Sequence, residues 1–137
     1  MAGLSSLHLA RYAALEGMKA HQFTMKCAMQ NLAHAGLKST KDHDYVRKIA
    51  VFNTHVNTRN NMLSIKKRVK HDNSNPFLYE YSPNDPDADE RGFIKKININ
   101  PHIETVDITN AKYNYTNCLK MYELMVDIEK KTNSLIL

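Results

Sequence analysis

The sequence predicts an α+β fold in which long N- and C-terminal helices form an antiparallel coiled-coil pair, with a small β-rich middle segment between them. Apolar residues recur at three- and four-residue intervals at both ends of the chain, which is the spacing of one helix face. The middle is instead rich in β-branched residues, prolines and aspartates, which favours short strands and turns. The predicted segments are residues 1–36, 37–100 and 101–137.

The N-terminal segment predicts a helix over residues 4–35. Gly36 supplies its stop, because glycine readily takes the left-handed backbone conformation that ends helices. Such a helix is roughly 48 Å long, more than one small core can cover. Its predicted coiled-coil seam has a strict 3-4 spacing and consists of Leu4, Leu7, Arg11, Ala14, Met18, His21, Met25, Ala28, Leu32 and Ala35.

The middle segment predicts short strands. Residues 45–56 and 62–69 are β-branched and mostly alternating, and a polar turn at 57–61 separates them. An extended piece follows at 75–83, then an acidic, turn-rich loop at 84–89 and a short strand at 92–94. The prolines in this stretch exclude a helix, because proline lacks the N–H that the helix needs.

The C-terminal segment predicts a second helix that begins at Asn100-Pro101, a favourable cap and first residue. One apolar stripe of this helix can pack on the first helix. A second stripe, about a third of a turn round, needs another neighbour, which we expect to be another chain that also covers Leu135-Ile136-Leu137. The first stripe comprises Ala111, Tyr115, Cys118, Tyr122 and Met125, and the second Met121, Leu124, Ile128 and Leu135.

The 137-residue chain has a formal charge of +5 and two cysteines. No run of about 20 apolar residues predicts a membrane span, and no cleaved secretory signal is evident. We expect Cys27 and Cys118 to be small buried hydrophobes. If both termini lie at the same end, the two cysteines sit roughly 40 Å and 28 Å along their helices, so no intrachain disulfide is predicted.

No pattern of residues supports catalysis, and neither a metal nor a cofactor is predicted. Asp42-His43-Asp44 is consecutive in a turn, so its side chains diverge, and Pro86 breaks the calcium-loop spacing of the acidic loop. We expect His21 and His34 to be packed or capping residues. The basic run Lys66–Lys70 leaves a small nucleic-acid-binding module as the alternative function, but a solvated sheet face accounts for it better because stacking aromatics are missing.

Three blocks of the chain carry recognisable motif residues. The first block, at the end of the N-terminal helix, has Ala20, Met25 and Asn31-Leu32-Ala33. The second has Asn75-Pro76-Phe77, Tyr81-Ser82-Pro83, Pro86, Ala88-Asp89 and Gly92-Phe93-Ile94, and the third, which opens the C-terminal helix, has Asn98-Ile99-Asn100, Glu104, Val106-Asp107, Ala111 and Tyr115. Together these blocks resemble the bacterial flagellar rod proteins, and in particular their proximal-rod members. The second block is the most specific, and in the first His34 replaces an asparagine of the family pattern.

The resemblance implies a structural subunit and not an enzyme. Such a subunit polymerises with other rod proteins and with copies of itself, and it transmits torque through the periplasm. The resemblance also implies export by the flagellar type III apparatus without a cleaved signal, and it implies no nucleic-acid partner. The predicted assembly interface consists of large apolar side chains on both helices: Leu7, Met18, Met25, Leu32, Tyr115, Tyr122, Met125, Ile128 and Leu135.

Overall fold

The computed structural model describes residues 2–136, with side chains from residue 6 onward, and it confirms the α+β class. The side chain of Leu4 and all of Leu137 therefore lie outside the described residues. The elements are α1 (Ala2–His34), β1 (Lys48–Val56), β2 (Leu63–His71), β3 (Phe77–Tyr81), β4 (Phe93–Ile97) and α2 (Pro101–Ile136). Each predicted helix and strand is present, with boundaries shifted by up to three residues.

The two helix ends that face the middle segment have the predicted caps. The Asn100 side-chain oxygen accepts the N–H of His102 at 2.9 Å, and Pro101 is the first residue of α2. At the end of α1, Gly36 has a φ of +73° and the N–H of Leu37 bonds to the carbonyl of His34. Local sequence alone therefore accounts for where α1 ends and where α2 begins.

The two helices pack side by side and antiparallel. Arg11 near one end of α1 pairs with Glu129 near the far end of α2 at 2.5 Å. At the opposite end of the pair, the Asn31 side-chain amide donates to Glu104 at 3.1 Å. Between them the backbones approach closely, since a Cβ built on Gly17 would lie 3.1 Å from the Sγ of Cys118.

The strands form two separate two-stranded antiparallel sheets. In the first, β1 and β2 pair one to one from Lys48 opposite His71 to Val56 opposite Leu63, without a bulge. This hairpin packs on α1, where the ring of Phe52 meets that of Phe23 edge to face with centroids 6.1 Å apart. α1 is therefore covered on two sides, by α2 and by the β1–β2 hairpin.

The second sheet pairs β3 with β4, and the loop between them is organised by its own polar groups. The Asp89 carboxylate accepts the N–H groups of Arg91 and Phe93, each at 2.9 Å. Gly92 has a φ of +84°, and a Cβ there would lie 2.9 Å from the Tyr81 ring. Aspartate and glycine are thus required by the backbone path of this loop.

Candidate assembly surface

The first predicted stripe of α2 lies against α1. Ala111 is buried, and Tyr115, Cys118, Tyr122 and Met125 are half-buried. Cys118 meets α1 at Gly17, and Tyr122 lies beside α1 residues in a small cleft. This stripe therefore contributes first to the pairing of the two helices within the chain.

The line of α1 that faces α2 coincides with the predicted seam only at Ala14, His21 and Ala28. It consists of small and polar side chains, and among the described side chains of the seam only Ala14 and Ala28 are fully buried. Met18 and Met25 are half-buried, as is Leu7, and Leu32 is 37% exposed. At ~100° per residue Met18, Met25 and Leu32 lie about a quarter of a turn round from the α2-facing line, whereas Leu7, seven residues before Ala14, lies close to it. The α2-facing line comprises Ala14, Gly17, His21, Thr24, Ala28 and Asn31.

The second predicted stripe of α2, which is Met121, Leu124, Ile128 and Leu135, is exposed. Three further exposed apolar side chains, Ile103, Val106 and Tyr113, lie on the same face nearer the start of the helix. We call the predicted stripe and these three residues together the outer stripe; its members are 40–86% exposed, and Leu135 is the most exposed of them. At ~100° per residue all of them lie within about a quarter of the helix circumference. The outer stripe consists of Ile103, Val106, Tyr113, Met121, Leu124, Ile128 and Leu135.

A shallow groove runs between the helices on their exposed side. It has a volume of about 490 Å³, and its walls include Met25 and Met29 of α1 and Tyr115 of α2. The structure thus brings Met25 and Tyr115, two predicted assembly residues from opposite ends of the sequence, to one surface. Methionine is flexible and polarizable, so such a groove can adapt to an inserted side chain.

A buried polar network joins α1, β1 and α2 where the three elements meet. Asn31 is only 1% exposed and uses all four hydrogen-bonding positions of its amide. Its Nδ2 donates to the carbonyl of Lys48 at 2.8 Å and to Glu104 at 3.1 Å. Its Oδ1 accepts the N–H of Lys48 at 2.9 Å and the hydroxyl of Tyr45 at 2.8 Å. The side chain thus occupies the place of a neighbouring strand at the start of β1.

Glu104 completes this network with a charged partner. The carboxylate is 1% exposed, and the Nε–H of Arg47 donates to it at 2.5 Å. Arg47 also approaches Asp107 at 3.5 Å and Asp72 at 3.8 Å. Burial of Tyr45, together with the neighbouring Cys27 and Glu104, raises the pKa of Tyr45 to about 12. The network is therefore a fixed joint in which each buried charge has a partner.

Sequence reasoning did not identify this joint, although a signal existed. Glu104 precedes the buried Ala111 by seven residues, and Asn31 follows the buried Ala28 by three. Both polar residues therefore occupy positions of buried helix stripes. A polar residue at such a position has to find a partner inside the protein.

His34 and the two cysteines are involved in packing. The ring of His34 stacks on Tyr45 with centroids 3.8 Å apart, and its Nδ1 donates to the carbonyl of Gln30 at 2.8 Å. Cys27 and Cys118 are both free, and burial raises the pKa of the Cys27 thiol. Within residues 2–136 no three His, Cys, Asp or Glu side chains are grouped so as to hold a metal. No helix in the same range has the length and apolar character to cross a bilayer.

The basic run lies on β2, and the side chains of Lys66–Lys70 are exposed. The ammonium of Lys67 lies 5.6 Å from the centre of the Phe23 ring of α1. By the alternation of a strand, Lys66, Arg68 and Lys70 point away from α1. The run is therefore one face of a sheet and does not lie on a helix that could enter a nucleic-acid groove.

The fold and its surface define a small two-helix α+β protein with a long row of exposed apolar side chains on one face of the C-terminal helix. No protein-family model matches the chain. The flagellar basal-body rod protein FlgC of Agrobacterium fabrum is 26% identical over 137 residues, covering 97% of each chain. The FlgC of Aquifex aeolicus is 30% identical over 117 residues, covering 85% of this chain and 87% of its own. The chain belongs to the FlgC family of flagellar basal-body rod proteins.

Several of the motif residues that resemble the rod proteins, as given in the sequence analysis, have structural roles in the fold. Asn31 and Glu104, 73 positions apart in the sequence, meet in the buried network. Asp89 and Gly92 set the path of the β3–β4 loop. These motif residues therefore maintain the shape of the subunit.

Proposed function

We propose that this chain is a structural subunit of the flagellar proximal rod that polymerises with other rod proteins and with copies of itself. In this role it transmits torque through the periplasm, and stiffness is its contribution. It reaches the rod through the flagellar type III apparatus without a cleaved signal, and α1 and α2 form a coiled-coil layer there. Membership of the FlgC family supports the rod location.

The outer stripe is the observation that carries the proposal. A soluble monomer rarely keeps this many large apolar side chains on one exposed helix face, and such surfaces mark contacts with partners. Leu124 is 60% exposed, so covering it in an assembly contributes about 1–2 kcal/mol. Several such side chains on one rigid helix provide a strong, directional contact.

Seven of the predicted assembly residues fall into three groups. Ile128 and Leu135 belong to the outer stripe and are free to contact a neighbour. Met25 and Tyr115 line the groove between the helices and form a second contact region together with Leu32. Tyr122 and Met125 are half-buried against α1, and we propose that they act through the shape of the helix pair.

The experiment places a charge on the outer stripe. Leu124→Asp and Leu135→Asp should abolish incorporation into the rod, because burying an unpaired carboxylate costs several kcal/mol. Export should continue, since both side chains are exposed in the subunit. Asn133→Asp adds the same charge at an exposed polar position of the same helix and is the matched control.

Two quantities are measured in a strain that lacks the wild-type chain: swimming motility and the amount of exported subunit. Loss of motility with normal export for both Leu variants, and normal motility for Asn133→Asp, supports the proposal. Normal motility in Leu124→Asp and Leu135→Asp would contradict it.

A further inference from the structure

The outer edge of β2 is an open sheet edge. The Asp72 N–H bonds to the Arg47 carbonyl at 2.9 Å, and the Asn57 N–H bonds to the Met62 carbonyl at 2.9 Å. These bonds fix the register, so the main-chain groups of Lys67, Val69 and His71 point away from β1. Among the described residues, no main-chain bond to another element reaches these three positions.

This edge of β2 is covered by α1 at Ile65, and it is exposed from residue 66 onward. The N–H of Ile65, two residues before Lys67, points outward in the same way and is bound by the Glu16 carboxylate at 3.2 Å. Residues 66–71 are all exposed. The strand has nine residues, no proline and no bulge, so it lacks two of the common features that prevent edge-to-edge pairing.

The side chains beside this edge are basic and have no ion pair. Lys66, Arg68 and Lys70 share one face, and in residues 2–136 none of them lies within 4 Å of a carboxylate. The nearby Asp72 accepts a hydrogen bond from the Ser74 hydroxyl at 2.6 Å, which lowers the pKa of Asp72 more than the charge of Lys70 does. We call these three side chains the basic face.

We propose that the outer edge of β2 binds an extended acidic segment of a partner protein as an added strand. Main-chain groups of that segment would pair with Lys67, Val69 and His71, and carboxylates at alternate positions would lie opposite the basic face. Neighbouring strands place paired side chains about 4.5–5.5 Å apart, within reach of ion pairs. This mode of binding takes affinity from the main chain and specificity from alternate side chains. It goes beyond the proposed rod role and does not depend on it.

The chemistry of the edge favours an acidic peptide over a nucleic acid. Phosphates only accept hydrogen bonds, whereas the edge offers carbonyl acceptors as well as N–H donors. An extended main chain presents donors and acceptors at the matching spacing, and a phosphate backbone does not. The basic face also carries no aromatic ring on which a base could stack. Ile49 and Val51 are the residues of β1 opposite Lys70 and Arg68 on that face.

A second copy of the chain fits the edge less well. Its own β2 edge carries the same charge and would be repelled. Its acidic loop is folded into turns, where Asp85 pairs with Lys38 at 2.6 Å and Asp89 accepts main-chain N–H groups. A separate partner with a free acidic strand is therefore the better occupant.

The test uses the full chain and a fluorescein-labelled nine-residue peptide in which glutamate alternates with valine, followed by fluorescence anisotropy at low salt. Val69→Pro removes one outward N–H and leaves the β1–β2 hydrogen bonds intact, since edge positions tolerate proline. We expect it to weaken binding about tenfold, as for the loss of one to two hydrogen bonds. Val69→Thr keeps the N–H and is the matched control.

Two further probes separate the contribution of main-chain hydrogen bonds to peptide binding from the contribution of side-chain charge. A peptide N-methylated at alternate residues keeps its charge and should bind about tenfold more weakly or not at all. The double variant Lys66→Glu/Lys70→Glu should no longer bind the glutamate peptide, and it should bind the corresponding peptide in which lysine replaces glutamate. Circular dichroism checks that each variant is folded.

Three results would overturn the proposal. If no glutamate peptide binds, the lysines only protect the edge from pairing, which is a common role of edge lysines. If the N-methylated peptide binds equally well, charge alone is responsible. If a single-stranded oligonucleotide of equal charge binds more tightly than the peptide, the edge is a nucleic-acid surface.

Discussion

Asn31 provides the sharpest test of how the subunit is held together, and the perturbation is Asn31→Ala. The change deletes four hydrogen bonds: two to the main chain of Lys48, one to Tyr45 and one to Glu104. A buried polar group that loses its partner costs about 1–3 kcal/mol. Lys48 and Tyr45 are half-buried, so water partly replaces the lost bonds and the lower end of that range applies.

We therefore expect Asn31→Ala to lower the free energy of unfolding by about 3–4 kcal/mol. That is a large share of the ~5–15 kcal/mol by which domains are usually stable. The measurement is urea unfolding of the purified chain, followed by far-UV circular dichroism. Gln22→Ala, at an exposed position of the same helix, is the control and should change stability by less than about 0.5 kcal/mol.

A second variant keeps the volume of the side chain and changes only its chemistry. In Asn31→Asp, a carboxylate replaces the amide that now donates to Glu104 and to the Lys48 carbonyl. Two acidic side chains then face each other without water, and we expect a larger loss than in Asn31→Ala. The reasoning fails if Asn31→Ala unfolds within about 0.5 kcal/mol of the wild type.

Three further predictions concern other parts of the fold. Gly92→Ala should lower the free energy of unfolding by at least about 1–2 kcal/mol in a urea titration, because alanine resists a φ of +84°. Gly17→Cys should form a disulfide with Cys118 under mild oxidation, visible as a gel shift, and the wild-type chain should give no shift. A Cβ at position 17 would lie 3.1 Å from the Sγ of Cys118, which is about the distance that an S–S bond of ~2.04 Å sets between the Cβ of one cysteine and the sulfur of the other. A hydrogen bond from Lys38 holds the pKa of Asp85 below its ordinary value of 3.8. The stabilisation that this ion pair gives the folded protein is therefore present above pH 3.8, and it is lost as the pH falls through the lower pKa of Asp85 in the folded state. Carboxyl NMR should find a higher pKa for Asp85 in Lys38→Met than in the wild type, although the N–H of Asp87 still lowers it, and an unchanged value would exclude the ion pair as the main cause.

Much of the secondary structure could be predicted because its signals are local. The cap at Asn100, the stop at Gly36 and the polar turn at 57–61 each depend on a few adjacent residues. The two apolar stripes of α2 were also recognisable, because a single helix fixes the angle between its own residues. The seam of α1 was harder to predict, because apolarity favoured Met18 and Met25, whereas close helix packing selected small residues.

The buried network could not be predicted from one sequence in the same way. Asn31, Arg47 and Glu104 lie in three separate segments, and nothing local indicates that they meet. The positions of Asn31 and Glu104 on apolar helix stripes indicate that each needs a partner inside the protein, but not which partner. Only the folded chain, which brings all three together away from water, shows that their charges and amides satisfy one another.

The sequence by itself determined the α+β class, the positions of the helices and strands, and a surplus of apolar surface on α2. It did not determine which of the two stripes is covered within the subunit, because both are apolar and each could pack on α1. The tertiary structure decided this through the rotation of α2 about its own axis. The close approach of Cys118 to Gly17 and the Arg47–Glu104 pair fix that rotation, and they leave the stripe containing Leu124 exposed.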